Sequence, residues 1–110
     1  MIKANNAFST KMLTDAELQQ GVCMRYTLIT EEEFKKNLEK ADVVSIGHED
    51  CAKRFGVEKN RIEILLEVGD TLYICEANTA DKKRLAEGVK YLKEFGEGSF
   101  FRFIKAERIQ

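Results

Sequence analysis

The chain has 110 residues, with 18 basic and 19 acidic side chains and a formal net charge of -1 at pH 7. This length predicts one domain over residues 1–110. The balanced charge argues against a protein that follows a long nucleic acid, because such proteins have a basic excess. No apolar run reaches the roughly 20 residues that span a bilayer, and the N-terminus lacks the apolar core of a signal peptide. We therefore expect a cytoplasmic protein with no membrane partner.

The three cysteines, Cys23, Cys51 and Cys75, are odd in number and widely spaced. This arrangement argues against a disulfide framework and against a zinc site. Cys23 and Cys75 lie in apolar runs typical of strands, so we expect them to be reduced thiols in the core.

The N-terminal part of the chain predicts two strands and one clear helix. Strands are expected at residues 2–8 and 22–29, and the second is rich in β-branched and aromatic side chains. Thr30 followed by Glu33 matches a capping box, which predicts that a helix begins here. Phe34 and the leucine one turn later share a face of this helix, so we expect that face to be buried.

The central part predicts a short strand, a short helix and a hairpin. The strand is expected at residues 42–46, and the helix at residues 49–55, ended by Gly56. Residues 61–67 alternate between apolar and polar side chains, and residues 71–76 follow a tight turn that contains glycine. This pattern predicts that the two segments pair as a β-hairpin.

The C-terminal part predicts a helix and a last strand. Residues 81–95 have helical apolar spacing, and residues 99–109 alternate. Because strands and helices interleave, we expect a single α/β domain with a mixed sheet of about five strands flanked by short helices.

His48 is the one histidine of the chain, and it follows a predicted strand and Gly47. It would open a helix, where free backbone N–H groups favour anions, and glycine would allow a ligand to approach the backbone. A histidine there can donate a proton near neutral pH. The same pattern also suits a histidine in a surface turn.

Two further groups of polar residues are candidates for a site. Arg84 offers a planar fork that matches phosphate, and Glu87 could act as a base or orient a hydroxyl. Their spacing equally suits a solvated ion pair on a helix. Asn6, Ser9 and Arg61 could bind a polar ligand, or they could serve turns and contact water.

Four short stretches together resemble one family. The chain has "NAFS" at residues 6–9 followed by "ML" at 12–13, "SIGH" at 45–48, "NRIEILLE" at 60–67 and "RLAEG" at 84–88. In this order they resemble the viral ring nucleases that act as type III CRISPR inhibitors. The resemblance covers almost the whole chain.

The resemblance implies a small homodimer that binds cyclic tetra-adenylate, the second messenger of type III CRISPR systems. Members of this family linearise the ring without a metal or cofactor, leaving short adenylates with 2′,3′-cyclic phosphate ends. Loss of the messenger silences the nucleases that it activates. The alternative is a homodimer that sequesters a cyclic oligonucleotide or another nucleotide without cleaving it.

The resemblance also implies site residues. His48, Arg84 and Glu87 match the catalytic histidine, arginine and glutamate of the family. The residues predicted to bind the substrate are Asn6, Ser9, Gly47, Arg61 and Glu76.

This chain also departs from the family at three places. Glu76 stands where the family has a neutral amide, and a negative charge there is unfavourable near phosphates. The stretch between His48 and Arg61 is short for the family, and residues 78–83 resemble an insertion. The family places the Arg84–Glu87 motif in a loop before a helix, whereas its spacing here also fits a helix.

Overall fold

The computed structural model describes residues 1–77 and 101–110. They form an α/β domain around a five-stranded mixed sheet, which confirms the predicted fold class. The strands are β1 (Ile2–Asn5), β2 (Met24–Ile29), β3 (Val43–Ser45), β4 (Thr71–Ala77) and β5 (Phe101–Arg108). The helices are α1 (Asp15–Gln20), α2 (Glu31–Lys40) and α3 (Glu49–Phe55), and a 3₁₀ turn spans Thr10–Met12.

The sheet has the strand order β2-β5-β4-β1-β3. β1 pairs in parallel with both β3 and β4. β5 runs antiparallel between β2 and β4. The carboxyl ends of the three parallel strands, β1, β3 and β4, therefore lie side by side at one end of the sheet.

One face of the sheet is covered by α2, which packs against β1, β4 and β5. Phe34 on α2 is fully buried, and its ring centroid lies 5.0 Å from that of Phe55 and 5.1 Å from that of Phe103. Leu38 is buried beside them, so the predicted apolar face of this helix is confirmed. Burial of aromatic rings in such a cluster is a large part of the stability of a small domain.

The other face packs against the chain between α3 and β4. Leu66 is buried there, and its N–H donates to the Met12 carbonyl at 2.8 Å. Lys3 in β1 reaches the same layer, where its Nζ lies 2.8 Å from Asp70 Oδ2. This second core cluster consists of Met12, Leu13, Leu66, Leu72, Ile74 and Ala106.

The helix ends follow the local signals of the sequence. Thr30 is the N-cap of α2, and its hydroxyl accepts from the Glu33 N–H at 3.2 Å. Thr14 and Glu17 form a reciprocal capping box at α1. Gly56 ends α3 with φ 65°, a conformation that costs glycine little because it has no Cβ.

The predicted hairpin is wrong. Residues 61–67 are not a strand, and β4 pairs instead with β1 and β5. The segment runs beside the end of β3, where the Ile62 N–H and C=O are both bonded to the Ser45 hydroxyl. Ile64 and Leu66 are buried, in keeping with the alternation, but hydrogen bonds to the Ser45 hydroxyl and to the Met12 carbonyl stand where the strand ladder was expected.

The cysteines also differ from the prediction. Cys51 in α3 and Cys75 in β4 are joined as a disulfide, and both are fully buried. Cys23 precedes β2 and is exposed instead of lying in the core. A sequence separation of 24 gave no sign of the pair, because the pairing arises only when α3 folds onto the sheet.

Within residues 1–77 and 101–110, no helix has both the length and the apolar character needed to cross a membrane. The helix predicted at residues 81–95 lies outside the described residues. The last strand, predicted at residues 99–109, is confirmed by β5.

Candidate functional site

A cavity opens at the carboxyl ends of β1, β3 and β4. Ligands of open α/β sheets bind at the carboxyl ends of parallel strands, and this cavity has a volume of about 770 Å³. Such a volume lies within the ~300–1,000 Å³ usual for ligand pockets. The predicted site residues that line it are Asn6, Ser9, Gly47, His48 and Arg61.

Asn6 connects the ends of two strands. Its Oδ1 accepts from the His48 N–H at 2.8 Å, and its Nδ2 donates to the Cys75 carbonyl at 3.0 Å. Its own N–H is bonded to Asn5 Oδ1 at 2.7 Å. Asn6 therefore fixes the backbone of His48 relative to β1 and β4.

His48 is the N-cap of α3, but its side chain makes no capping hydrogen bond. The imidazole is exposed and lines the cavity. Its ring centroid lies 5.9 Å from that of Phe101, with the planes at 85°. The backbone of His48 is thus held by Asn6 while the imidazole stays accessible to a ligand, which is the arrangement a proton donor requires.

Ser9 and Lys11 form another part of the cavity wall. Ser9 is the N-cap of the Thr10–Met12 turn, and its Oγ accepts from the Lys11 N–H at 3.2 Å. Met12 anchors this turn because its side chain is buried in the second core cluster. The Ser9 hydroxyl and the Lys11 ammonium therefore lie on a short turn that the buried Met12 side chain holds in place.

Gly47 and Arg61 are in close contact. A Cβ placed on Gly47 would lie 2.7 Å from Arg61 Nε and 2.8 Å from Arg61 Cγ. Real side chains do not approach so closely, so the Arg61 side chain occupies the space that the glycine leaves free. This explains why a glycine precedes His48 without any need for a positive φ angle.

The cavity is suited to an anion. Among the described residues, neither Lys11 nor Arg61 has a carboxylate within ion-pair distance. The acidic residue of the wall, Glu49, lies 3.4 Å from Lys53 Nζ. Because these two cations lie beside hydroxyl and amide groups and have no counter-ion within residues 1–77 and 101–110, they can contact phosphate oxygens.

Glu76 is not brought into this group. It lies near the end of β4 and is not among the residues that line the cavity. Its carboxylate pairs with Arg102 on the neighbouring strand β5, where Nε lies 2.5 Å from Oε1. The carboxylate charge of Glu76, which was expected near a phosphate, is therefore partly neutralised by Arg102.

Arg84 and Glu87 lie outside the described residues, so their positions relative to the cavity stay a prediction. The same holds for the apparent insertion at residues 78–83.

The comparisons with known proteins support the fold. The structure is similar to B116 of Sulfolobus turreted icosahedral virus, with a TM-score of 0.63. The alignment covers 96% of this chain and 97% of that chain at 21% sequence identity. No protein-family model and no curated protein matches the chain. Identity at this level indicates a shared fold, and the function has to be argued from the site itself.

Among the residues of the cavity wall that were not predicted, two bear on the site, Lys11 and Ser45. Lys11 lies between the quoted "NAFS" and "ML" stretches, and its place in a polar loop after a strand was the available signal. Ser45 opens the "SIGH" stretch and also lines the cavity. Its contacts with residue 62 are non-local, so no sequence pattern indicated them.

Proposed function

We propose that this protein is a metal-independent ring nuclease, which binds cyclic tetra-adenylate and cleaves it to short linear adenylates with 2′,3′-cyclic phosphate ends. Such an activity would switch off type III CRISPR signalling, for a virus, a mobile element or a host cell. The similar fold of a viral protein is compatible with the first of these settings.

One observation supports this proposal most. A histidine, an arginine, an amide and a hydroxyl from segments far apart in the sequence line one cavity at the carboxyl ends of the parallel strands. The residue types are those that bind and protonate a phosphodiester. Arg61 and Lys11 supply positive charge locally, so a chain of net charge -1 can bind a small polyanion.

The proposed reaction is an internal transfer at phosphorus. A ribose 2′-oxygen forms a bond to the adjacent phosphorus while the bond from phosphorus to the 5′-oxygen breaks. The imidazolium of His48 donates a proton to the departing 5′-oxygen, and Glu87 orients the 2′-hydroxyl and accepts its proton. Arg84 offsets the charge that grows on the phosphoryl oxygens. Since the nucleophile belongs to the substrate, orientation and charge stabilisation supply most of the acceleration.

We further propose that the active species is a homodimer. Two-fold symmetry would present one His48 to each of two opposite phosphodiesters of a symmetric ring. Ile62 lines the cavity and its side chain is half exposed, and Leu65 nearby is also exposed. Apolar side chains at a cavity rim are suited to contact with a second subunit.

A cleavage assay tests the proposal. Cyclic tetra-adenylate is incubated with the protein in EDTA, and the products are separated by chromatography. We expect linear products, and we expect His48→Ala to lower the rate by at least about 100-fold, since general acids contribute roughly 10²–10⁴. Lys59→Ala is the matched control, because Lys59 is exposed and does not line the cavity.

The outcomes separate the alternatives. Tight binding without turnover would favour the sequestering protein, for which Asn6, Ser9 and Arg61 would suffice. Absence of binding would reject both, and full activity in His48→Ala would reject the catalytic role of this residue.

A further inference from the structure

Ser45 makes an unusual contact at the end of β3. Its side chain is buried, with the residue 4% exposed. The Ser45 Oγ accepts from the Ile62 N–H at 2.9 Å and donates to the Ile62 carbonyl at 3.1 Å. One hydroxyl therefore satisfies both backbone groups of Ile62, as a neighbouring strand would do in a sheet.

A second contact extends this pairing. The Asn60 N–H donates to the Ile46 carbonyl at 3.0 Å. Asn60 and Ile62 are thus both fastened to the chain that leaves β3. Arg61 lies between these two fixed residues, so the direction of its Cα–Cβ bond is determined by them.

Gly47 borders the side chain of Arg61. The Arg61 Nε and Cγ atoms fill the space where a Cβ at Gly47 would stand. Ser45, through its bonds to the backbone of Ile62, and Gly47, through the space it leaves free, together form a seat for the Arg61 side chain. No acidic side chain of the described residues shares in holding it.

We propose that Ser45 is a positioning residue for the site, which acts through Arg61 to set the affinity for the phosphates of the ligand. This rests on the proposed function, because Arg61 is taken as a phosphate contact. Ser45 itself has its hydroxyl engaged in two bonds with the backbone. A flexible arginine would lose side-chain entropy when it binds a phosphate. Because the seat already restricts the Arg61 side chain in the free protein, less entropy is lost on binding.

Binding measurements test the coupling. Ser45→Ala is expected to raise the Kd for cyclic tetra-adenylate by about 3- to 10-fold, with an unchanged single-turnover rate at saturation. In an Arg61→Ala background, Ser45→Ala is expected to add no further loss, because the residue that it positions is gone. Equal losses in both backgrounds, or a lower rate at unchanged Kd, would overturn the proposal.

A measurement without ligand separates this inference from the proposed function. Nuclear magnetic resonance of the free protein follows the Arg61 Nε–Hε group, whose heteronuclear NOE we expect to fall in Ser45→Ala. An unchanged NOE would reject the positioning role whether or not the protein binds cyclic tetra-adenylate. A fall in the NOE in a protein that does not bind the ring would support the seat and reject the proposed substrate.

Gly47→Ala provides an independent variant if Ser45→Ala does not fold. The new Cβ would meet the Cγ, Cδ and Nε atoms of the Arg61 side chain and no backbone atom, so the Arg61 side chain has to move while the fold is expected to persist. The Arg61 Nε–Hε resonance should shift, and the Kd should rise as in Ser45→Ala. Lys59→Ala, in the same segment, should change neither.

Discussion

Asn6 uses both ends of its side-chain amide within the protein. One end holds the His48 backbone N–H and the other holds the Cys75 carbonyl. The sequence suggested a ligand contact, whereas the geometry indicates that Asn6 also fixes the position of the proposed acid. A misplacement of about 1 Å can cost about 100-fold in rate, so loss of this bridge should lower the rate of the proposed reaction.

We expect Asn6→Ala to lower the single-turnover rate by about 10- to 100-fold, with a smaller change in Kd. The physical reason is that His48 loses its backbone anchor. Single-turnover kinetics with a separate binding titration measure both quantities. Asn37→Ala on α2, which removes an amide bonded to the Glu33 carbonyl, is the matched control. A raised Kd at an unchanged rate would instead identify Asn6 as a ligand contact.

Asp70 is the other residue whose chemistry can be tested directly. Its carboxylate lies 2.8 Å from Lys3 Nζ and 3.3 Å from the amino group of Met1. Burial by itself raises the pKa of Asp70, but hydrogen bonds from Lys3 and from the Glu67 N–H outweigh it and hold the pKa below its usual value. Because the pKa is lower in the folded state, Asp70 stabilises the fold above the unfolded pKa, and this contribution is lost as the pH falls.

We therefore expect the free energy of unfolding to decrease as the pH drops below about 4, the usual range for an aspartate. Asp70→Asn should reduce this pH dependence and should cost about 3 kcal/mol at pH 7, because Lys3 is left buried without its counter-ion. Urea unfolding at a series of pH values measures both effects. Glu58→Gln, at an exposed site, should leave the curve unchanged, and equal slopes for the wild type and Asp70→Asn would contradict the prediction.

Among the secondary-structure elements, helix ends could be predicted from nearby residues, whereas the pairing of strands could not. Helix α2 begins at its N-cap Thr30 and α3 ends at Gly56, as the sequence indicates, because a cap acts on groups a few residues away. The predicted hairpin was wrong because Ile62 bonds to Ser45 and Leu66 bonds to Met12, both far away in the sequence. The strand order could not be predicted either, since it depends on which apolar faces meet after folding.

The aromatic cluster under α2 permits a test at this scale. Phe34→Ala removes a fully buried ring that contacts Phe55 and Phe103. We expect a loss of about 3–5 kcal/mol in the free energy of unfolding, which is a large part of the stability of a small domain. Thermal and urea unfolding measure it. Leu28→Ala is the control, because Leu28 is 72% exposed, and a similar loss there would contradict this account of the core.

At the scale of the whole molecule, the candidate site is formed by the connections that follow β1 and β3. The sequence and its resemblance to the ring nucleases predicted Asn6, Ser9, Gly47, His48 and Arg61 as site residues, and all five line one cavity. The patterns could not show that Glu76 pairs with Arg102, because that contact depends on the register of β4 and β5. They also did not lead to Lys11, although its place in a polar loop after a strand was an available signal.

The proposed homodimer gives a prediction at this scale. The chain mass is 12.6 kDa, so light scattering after size exclusion should report about twice this value at micromolar concentration. If two subunits complete each site, the specific activity should fall on dilution below the dimer dissociation constant. A monomer with constant specific activity on dilution would contradict the proposal.

The position of β5 has a consequence for synthesis. This strand is made after β1, β2, β3 and β4, yet it lies between β2 and β4 and gives β2 its place in the sheet. While the ribosome is still translating the residues before Phe101, β2 and β4 therefore have no strand to join them. The nascent chain then exposes open strand edges, which are prone to aggregation. A premature stop codon anywhere before this strand should yield a product that cells degrade and not a smaller folded domain.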